Sequence, residues 1–230
     1  MNVHAAILGV QQGMTPRHMF LTQSRHNAGM DQQAQAIAAS AAQLIVEEGM
    51  EWGPAKRQAL DDLDLPARTP LPDNTLLEAA VREHIAIFCP DTQVQALHTL
   101  LTCAAHWMGR MTQHNPYLTG AVWQGLATDK SDVYIQLFSP DSKMAQIDLI
   151  NMGLRLDTTE IAGMNGREVV TLSHVVQLTG FAWPSSVHWV LYDEDDLRGA
   201  LKPKRGSVNG RAARGALSAV QAMLDELQTA

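Results

Sequence analysis

Apolar residues recur every three or four positions through much of the first half of the chain. From residue 31 to residue 48 this spacing is kept by Ile37, Ala41, Leu44 and Ile45, and Gly49 follows. One apolar stripe at this period predicts an amphipathic helix that ends at the glycine. Similar spacing predicts three more helices, at about residues 54–65, 75–89 and 91–111.

The spacing of the apolar residues changes after Pro116. Short runs rich in β-branched and aromatic residues, bounded by Gly, Pro and Asp, predict strands. These runs are YLTGAVWQ, DVYIQLF, GLRLDTTEI, REVVTLSHVVQL and SVHWVLYD. A helix is predicted between the second and third runs, at about residues 141–152, and a last helix at about 211–227.

These patterns predict an α+β fold in three parts. Residues 1–29 are expected to be a flexible tail, residues 30–113 a helical region, and residues 114–230 a mixed β-sheet domain with a C-terminal helix. Translation beginning at Met30 rather than Met1 stays open, and the intact mass of the native protein would decide it. The helical region is either a partner or dimer surface or a lid packed on the sheet.

Composition narrows the classes of partner. Of 230 residues, 46% are hydrophobic and 18% charged, which is typical of a globular protein, and the net charge of −7 argues against overall attraction to nucleic acid. Apolar runs fall short of the roughly 20 residues that span a bilayer, so no membrane partner is predicted. Cys89 and Cys103 form no C-x-x-C pair, which favours a reducing, cytoplasmic location.

One stretch combines features that phosphoryl transfer requires. TGAVWQGLATDKSDVYIQL, residues 119–137, places small and turn-forming residues between two β-prone runs, with Asp132 opening the second. Backbone amides near glycine hold phosphate, and carboxylates on one face of a strand hold two magnesium ions. The stretch fits this plan in outline, although a plain β-turn with a strand-capping aspartate explains the same residues.

The same stretch resembles the signature of the nucleotidyltransferase superfamily with the polymerase-β-type fold, which reads G-S-x-A-R-G, a short loop, then S-D-I-D. Gly120 and Gly125 fall on its two glycines, and Ser131 and Asp132 fall on its S-D, at the spacing of minimal family members. The resemblance covers roughly residues 116–193 and implies a helix after the catalytic strand, with further strands beyond it. It therefore requires Gly120 and Asp132 close together at one rim of the sheet.

The resemblance also implies roles for individual residues. Asp132 would hold Mg²⁺ and act in catalysis, with Asp193 at the end of a later predicted strand as the nearest candidate for a third carboxylate. The residues implied at the nucleotide and its phosphates are Gly120, Ala121, Gln124, Gly125 and Ser131.

The departures from the signature fall where the chemistry lies. Ala121 stands in place of the phosphate-binding Ser, Trp123 of the small Ala, and Gln124 of the Arg. Tyr134 stands in place of the second metal-binding Asp, so two Mg²⁺ ions would lack their shared ligand. A degraded site is therefore favoured over an intact one.

A basic segment near the C-terminus adds a second candidate region. LKPKRGSVNGRAARGAL, residues 201–217, carries five cations and no acid, and its Lys204 and Arg205 are candidates to bind a phosphate or an RNA backbone. A solvated loop that complements the acidic run at residues 193–196 is the preferred alternative.

Other catalytic classes lack sequence support. Neither the P-loop pattern nor G-x-G-x-x-G occurs, which argues against P-loop ATPases and Rossmann dehydrogenases. The serines show no ordered triad pattern, and the histidines of the helical region show no zinc-protease spacing.

Two functions follow from this reading. The first is an enzyme that transfers a nucleotide from a nucleoside triphosphate to a hydroxyl with Mg²⁺. The second is a catalytically degenerate relative that binds a nucleotide, RNA or a protein partner, and the Tyr134 substitution favours it.

Overall fold

The computed structural model describes residues 16–164, 166–200 and 212–229, with side chains described from residue 31 onward except at 198–200. Four helices come first: α1 (Pro16–Glu48), α2 (Trp52–Asp62), α3 (Asn74–Phe88) and α4 (Gln93–Arg110). A 3₁₀ turn at Thr112–His114 follows α4. Within the described ranges, no helix is long and apolar enough to cross a membrane.

The first helix is longer than the periodic segment. It begins at Pro16 and so includes residues 16–29 of the segment for which a flexible tail was expected. Proline is compatible with the first turn of a helix, and no Gly or Pro follows it until Gly29. Residues 1–15 lie outside the described residues.

The second half forms a six-stranded mixed sheet, so the predicted α+β class is confirmed. Its strands are β1 (Pro116–Thr119), β2 (Val133–Ser139), β3 (Asp157–Ala162), β4 (Glu168–Val176), β5 (Ser185–Asp193) and β6 (Gly215–Ala216). The spatial order is β3-β4-β5-β2-β1-β6; β2 and β5 run parallel, and every other neighbouring pair is antiparallel. The remaining helices are α5 (Gly120–Gln124), α6 (Ser142–Asn151), α7 (Glu194–Ala200) and α8 (Leu217–Thr229).

One face of the sheet forms the main hydrophobic core. Alternate residues of the central strands, such as Ile135 and Trp189, are completely buried, and they pack in one cluster with residues of α4, α6 and α8. The indole rings of Trp107 on α4 and Trp189 meet edge to face with centroids 5.2 Å apart. Helix α4 was assigned to the helical region, but its buried residues belong to the core of the sheet.

Helices α1, α2 and α3 form a second, smaller core. Ile37, Leu60 and Leu77 are among its buried residues, and Leu126, from the loop after α5, also packs there. The same loop is tied to α1, because the Thr128 hydroxyl donates to the carbonyl oxygen of Val46 at 3.4 Å. The three helices thus lie against the sheet domain through this loop.

Some local assignments differ from those expected. The predicted first strand run ends as a strand at Thr119, and residues 120–124 form the single-turn helix α5 instead. The predicted last helix begins at Leu217 within the described residues, whereas Arg211 lies outside them. Helix α7 and the two-residue strand β6 have no counterpart in the prediction, because elements this short show no clear period.

Candidate functional site

A cleft lies between the second face of the sheet and helices α2 and α3. Its volume is about 790 Å³, within the range of small-molecule sites. The helices contribute Glu51, which precedes α2, and Asp73, which caps α3, whereas the sheet contributes Tyr134, Gln136 and Val190. The cleft is therefore built from both halves of the chain.

The predicted glycine and aspartate lie together at one rim of the sheet. Antiparallel pairing places Thr119 opposite Tyr134, so Gly120 follows the end of β1 beside the point where Asp132 leads into β2. Gly120 has φ of +75°, a conformation that favours glycine, and begins α5. The cleft is lined by several of the residues that the resemblance implies at the nucleotide and metal: Gly120, Ala121, Gln124, Ser131 and Asp132.

Gly125 and Ser131 have structural contacts at this rim. Gly125 ends α5 with φ of +72°, and its amide donates to the carbonyl oxygen of Val122 at 3.2 Å, a typical use of glycine at a helix end. The Ser131 hydroxyl accepts a hydrogen bond from the Thr128 amide at 3.0 Å, which stabilises the turn before β2.

The Asp132 carboxylate is already bonded within the protein. Its Oδ1 accepts a hydrogen bond from the Ser186 amide at 2.6 Å, and its Oδ2 lies 3.3 Å from Nε2 of His188. Both partners lie on β5, which pairs with β2 in parallel. These contacts position the carboxylate between the strands and use two of its roughly four lone-pair positions.

Tyr134 occupies the strand position where the resemblance expects a second carboxylate. Its ring stacks on that of His188, with centroids 4.4 Å apart and planes 19° from parallel. Its hydroxyl donates to the Glu51 carboxylate on the other side of the cleft. Burial raises the pKa of the Tyr134 hydroxyl, and the Glu51 carboxylate raises that pKa further, so the group stays protonated at neutral pH.

Sequence reasoning missed a hydrogen-bonded series across three strands. Ser173 Oγ lies 2.7 Å from His188 Nδ1, and the other ring nitrogen of His188 faces Asp132. The connectivity is that of a Ser-His-Asp triad, but among the described residues Ser173 is not part of the cleft wall and His188 is covered by Tyr134. The series therefore fixes His188 and Asp132 in place. Only strand pairing, which places Ser173 opposite His188, brings these residues together.

Asp193 lies away from Asp132. It pairs with Ser139 at the far end of β2, seven positions from Asp132, which is roughly 23 Å along a strand. The structure therefore does not bring the two predicted metal-binding carboxylates to one site. Lys204 and Arg205 lie outside the described residues.

The donor set does not fit the two magnesium ions that the resemblance implies. Mg²⁺ requires oxygen ligands in near-octahedral geometry, with carboxylates at its centre. In residues 16–164, 166–200 and 212–229 no group of three or more His, Cys, Asp or Glu side chains is arranged to hold a metal ion. The side chain of ligand type that contacts Asp132 is His188, and the Glu51 carboxylate accepts a hydrogen bond from the Tyr134 hydroxyl.

The helix side of the cleft is acidic. Among the described residues, Glu51, Asp73, Glu78 and Asp132 are the ionisable residues of the wall other than the two tyrosines. Glu78 is paired with Arg82 on the next turn of α3, 3.3 Å away, and Asp73 accepts a hydrogen bond from the Leu76 amide at 2.8 Å. Repulsion of an anion by these carboxylates is reduced by Lys56, whose ammonium group interacts with Asp73, and by Arg82.

No family model matches the chain, and no curated protein matches it. The resemblance to nucleotidyltransferases accordingly rests on the residues of the motif alone.

Proposed function

We propose that this protein is a catalytically degenerate nucleotidyltransferase-like protein that uses the cleft to bind a nucleotide-type ligand rather than to transfer a nucleotide with Mg²⁺. The observation that carries the proposal is Tyr134, which takes the place of a metal-binding carboxylate and hydrogen-bonds across the cleft to Glu51.

The placement of the motif supports the relation to this superfamily. Gly120 and Asp132 lie at the same rim on neighbouring antiparallel strands, as the resemblance requires. Helix α6 follows β2, and the next strand of the sheet, β5, comes from the later chain and runs parallel to β2. The cleft retains the size of a ligand site although its metal ligands are missing.

The state of Asp132 favours binding over transfer. Catalysis with two metal ions needs several carboxylates at one site to bridge the ions, but Asp132 faces His188 on β5 and position 134 carries a tyrosine. Replacing a metal ligand commonly costs several powers of ten in rate, and each power of ten is about 1.4 kcal/mol. Retained transfer activity is therefore the less supported of the two functions.

Calorimetric titration tests this proposal. The protein is titrated with the mono-, di- and triphosphates of each of the four ribonucleosides, with and without Mg²⁺, alongside the Asp132→Ala variant. We expect binding of at least one nucleotide whose affinity changes by less than about tenfold, or 1.4 kcal/mol, when Mg²⁺ is removed. Asp132→Ala should retain that binding.

Two outcomes contradict the proposal. Binding that requires Mg²⁺ and disappears in Asp132→Ala would show a working metal site. Absence of binding to all twelve nucleotides would remove nucleotide recognition and leave RNA or protein partners as the remaining predictions.

A further inference from the structure

Buried polar groups without partners are concentrated on the cleft side of the sheet. Among the described residues, the buried side-chain atoms that lack a hydrogen bond are Gln136 Oε1, Thr171 Oγ1, Trp189 Nε1, and Nε and Nη1 of Arg214. Strand pairing places Thr171 and Gln136 on the two sides of Val190, a residue of the cleft wall. Of this set, Trp189 faces the main core.

Of these unpaired groups, the guanidinium of Arg214 is the one whose lost hydrogen bonds are the most unfavourable in free energy, because it is charged. Its guanidinium lies over the ring of completely buried Phe138, 5.7 Å from the centroid, and burial lowers its pKa. Arg214 is half-buried, and two of its three guanidinium nitrogens have lost water without gaining a hydrogen bond from the described residues, which is unfavourable for a cation. The nearby ionisable groups are the hydroxyls of Tyr117 and Tyr192, which are neutral when protonated.

The position of Arg214 connects it to the cleft. Ala213, which precedes it, lines the cleft, as do Gln136 and Tyr192. On β2, Phe138 lies two positions beyond Gln136, and hence on the same face of the strand. The guanidinium and the unpaired oxygens of Gln136 and Thr171 thus belong to the sheet side, opposite the acidic helix side.

We propose that Arg214 binds the single oxyanionic group, a carboxylate or a phosphate monoester, of the ligand that occupies the cleft, and that the unpaired Gln136 Oε1, which is an acceptor, binds a hydrogen-bond donor of the same ligand. This inference rests on the proposed binding function and names the class of ligand. Guanidinium binds planar and tetrahedral oxyanions through charge-assisted hydrogen bonds, and an oxyanion is the partner that its buried N–H groups lack.

The acidic helix side limits the rest of the ligand. Lys56 and Arg82 partly offset Asp73 and Glu78, whereas the Glu51 carboxylate accepts hydrogen bonds and repels further negative charge. The body of the ligand therefore carries hydroxyl or amino donors, and a monophosphate is preferred over a triphosphate.

Thermal unfolding with simple probes tests the assignment. The full-length protein, Arg214→Met and Arg214→Lys are heated with inorganic phosphate, with acetate, or with chloride at the same ionic strength. Arg155→Met is the matched control, because Arg155 is an exposed arginine in the loop before β3. We expect phosphate or acetate to raise the Tm of the wild type and of Arg155→Met above the chloride value, and whichever of the two does so identifies the oxyanion.

Arg214→Met is expected to differ from the wild type both in its Tm in chloride and in the change of Tm that the anion causes. Arg214→Met should unfold at the same or a higher temperature than wild type in chloride, since it removes an unpaired buried charge, and its response to the anion should be lost. Arg214→Lys keeps the charge but not the fork of donors, so its affinity should fall at least about tenfold, and it provides the test if Arg214→Met does not fold.

The outcomes separate this inference from the proposed function. A response to the anion that persists in both Arg214 variants, or no response in the wild type, overturns the oxyanion site. If nucleotides bind but their affinities do not depend on Arg214, only the present inference fails. If phosphate acts through Arg214 and no nucleotide binds, the oxyanion site stands and the nucleotide-type ligand is withdrawn.

Discussion

One residue, Tyr134, connects the two sides of the cleft at the position where the resemblance expects a metal-binding aspartate. Its ring covers His188 and its hydroxyl bonds to Glu51, so a side chain at this position reaches both the Asp132 side and the helix side of the cleft. An aspartate at the same place would put a second carboxylate on the strand face that Asp132 begins.

We expect Tyr134→Asp to create metal affinity. The variant would place a second carboxylate near Asp132 and release Glu51, which together supply the oxygen ligands that Mg²⁺ and Mn²⁺ prefer. Calorimetric titration should give Mn²⁺ binding at least about tenfold tighter than in wild type, or 1.4 kcal/mol. Tyr134→Asn is the control, since its side chain has the same size as aspartate but carries no charge. Equal Mn²⁺ affinities of Tyr134→Asp and Tyr134→Asn would count against the alignment with the nucleotidyltransferase motif.

At the scale of residues, the sequence predicted the contacts that are local in the chain. Gly120 and Asp132 are twelve positions apart on two strands joined by one short connection, so a turn between β-prone runs suffices to bring them together. Ser173, His188 and Glu51 could not be found in this way. Their contacts with Asp132 and Tyr134 depend on the order of strands in the sheet and on the packing of α2, and neither leaves a fixed spacing in the sequence.

Among the elements, α5 and β6 form a tight contact that depends on a glycine. Trp123 on α5 covers Gly215 on β6, and its indole N–H donates to the Ala212 carbonyl oxygen at 2.7 Å. A β-carbon at residue 215 would overlap the indole ring. The contact holds the residues before α8 against the end of β1, beside the cleft.

Gly215→Ala is expected to destabilise the protein by about 1–3 kcal/mol, because the ring or the strand must shift to admit the methyl group. Gly109→Ala is the matched control, since no atom lies within 4 Å of a β-carbon at this exposed position of α4. That control should stabilise by roughly 0.5–1 kcal/mol through the higher helix propensity of alanine. Urea unfolding measures the change in the free energy of unfolding for each variant. Equal unfolding midpoints for Gly215→Ala and Gly109→Ala would show that the α5–β6 contact is loose.

Elements with a clear period were predicted well. The strands β2, β4 and β5 and the helices α3, α4 and α6 agree with their sequence patterns to within a few residues. The first predicted strand failed in its second half because Gly120–Gln124 is apolar and β-prone, and nothing local distinguishes it from a strand. Tertiary contacts decide that segment: Val122 and Trp123 are buried in the main core as one turn of helix.

For the molecule as a whole, the hydrogen bond from Tyr134 to Glu51 joins two separately packed parts. Helices α1, α2 and α3 have their own core, and this bond ties the start of α2 to the central strand β2 across the cleft. Opening of the cleft would require breaking it.

Tyr134→Phe should make the helical layer open more often while leaving the main core unchanged. Loss of one hydrogen bond, worth about 0.5–1.5 kcal/mol, increases the open population by up to about tenfold. Hydrogen–deuterium exchange should therefore quicken at the amides of α2 and stay unchanged in α8, which packs in the main core and serves as an internal control. Equal exchange rates of the α2 amides in Tyr134→Phe and in the wild type would mean that the bond does not restrain the helices.

The packing of α4 has a consequence for dividing the chain into fragments. Its buried side chains, including Leu100, Leu101 and Met108, complete the core beneath the sheet, although α4 precedes the boundary that the sequence suggested near residue 114. A polypeptide cut at that boundary would expose the apolar face of its own sheet and would lack the wall contributed by α2 and α3. A fragment that keeps the complete core of the sheet therefore has to begin before α4, and a fragment that keeps the complete cleft wall has to begin before α2.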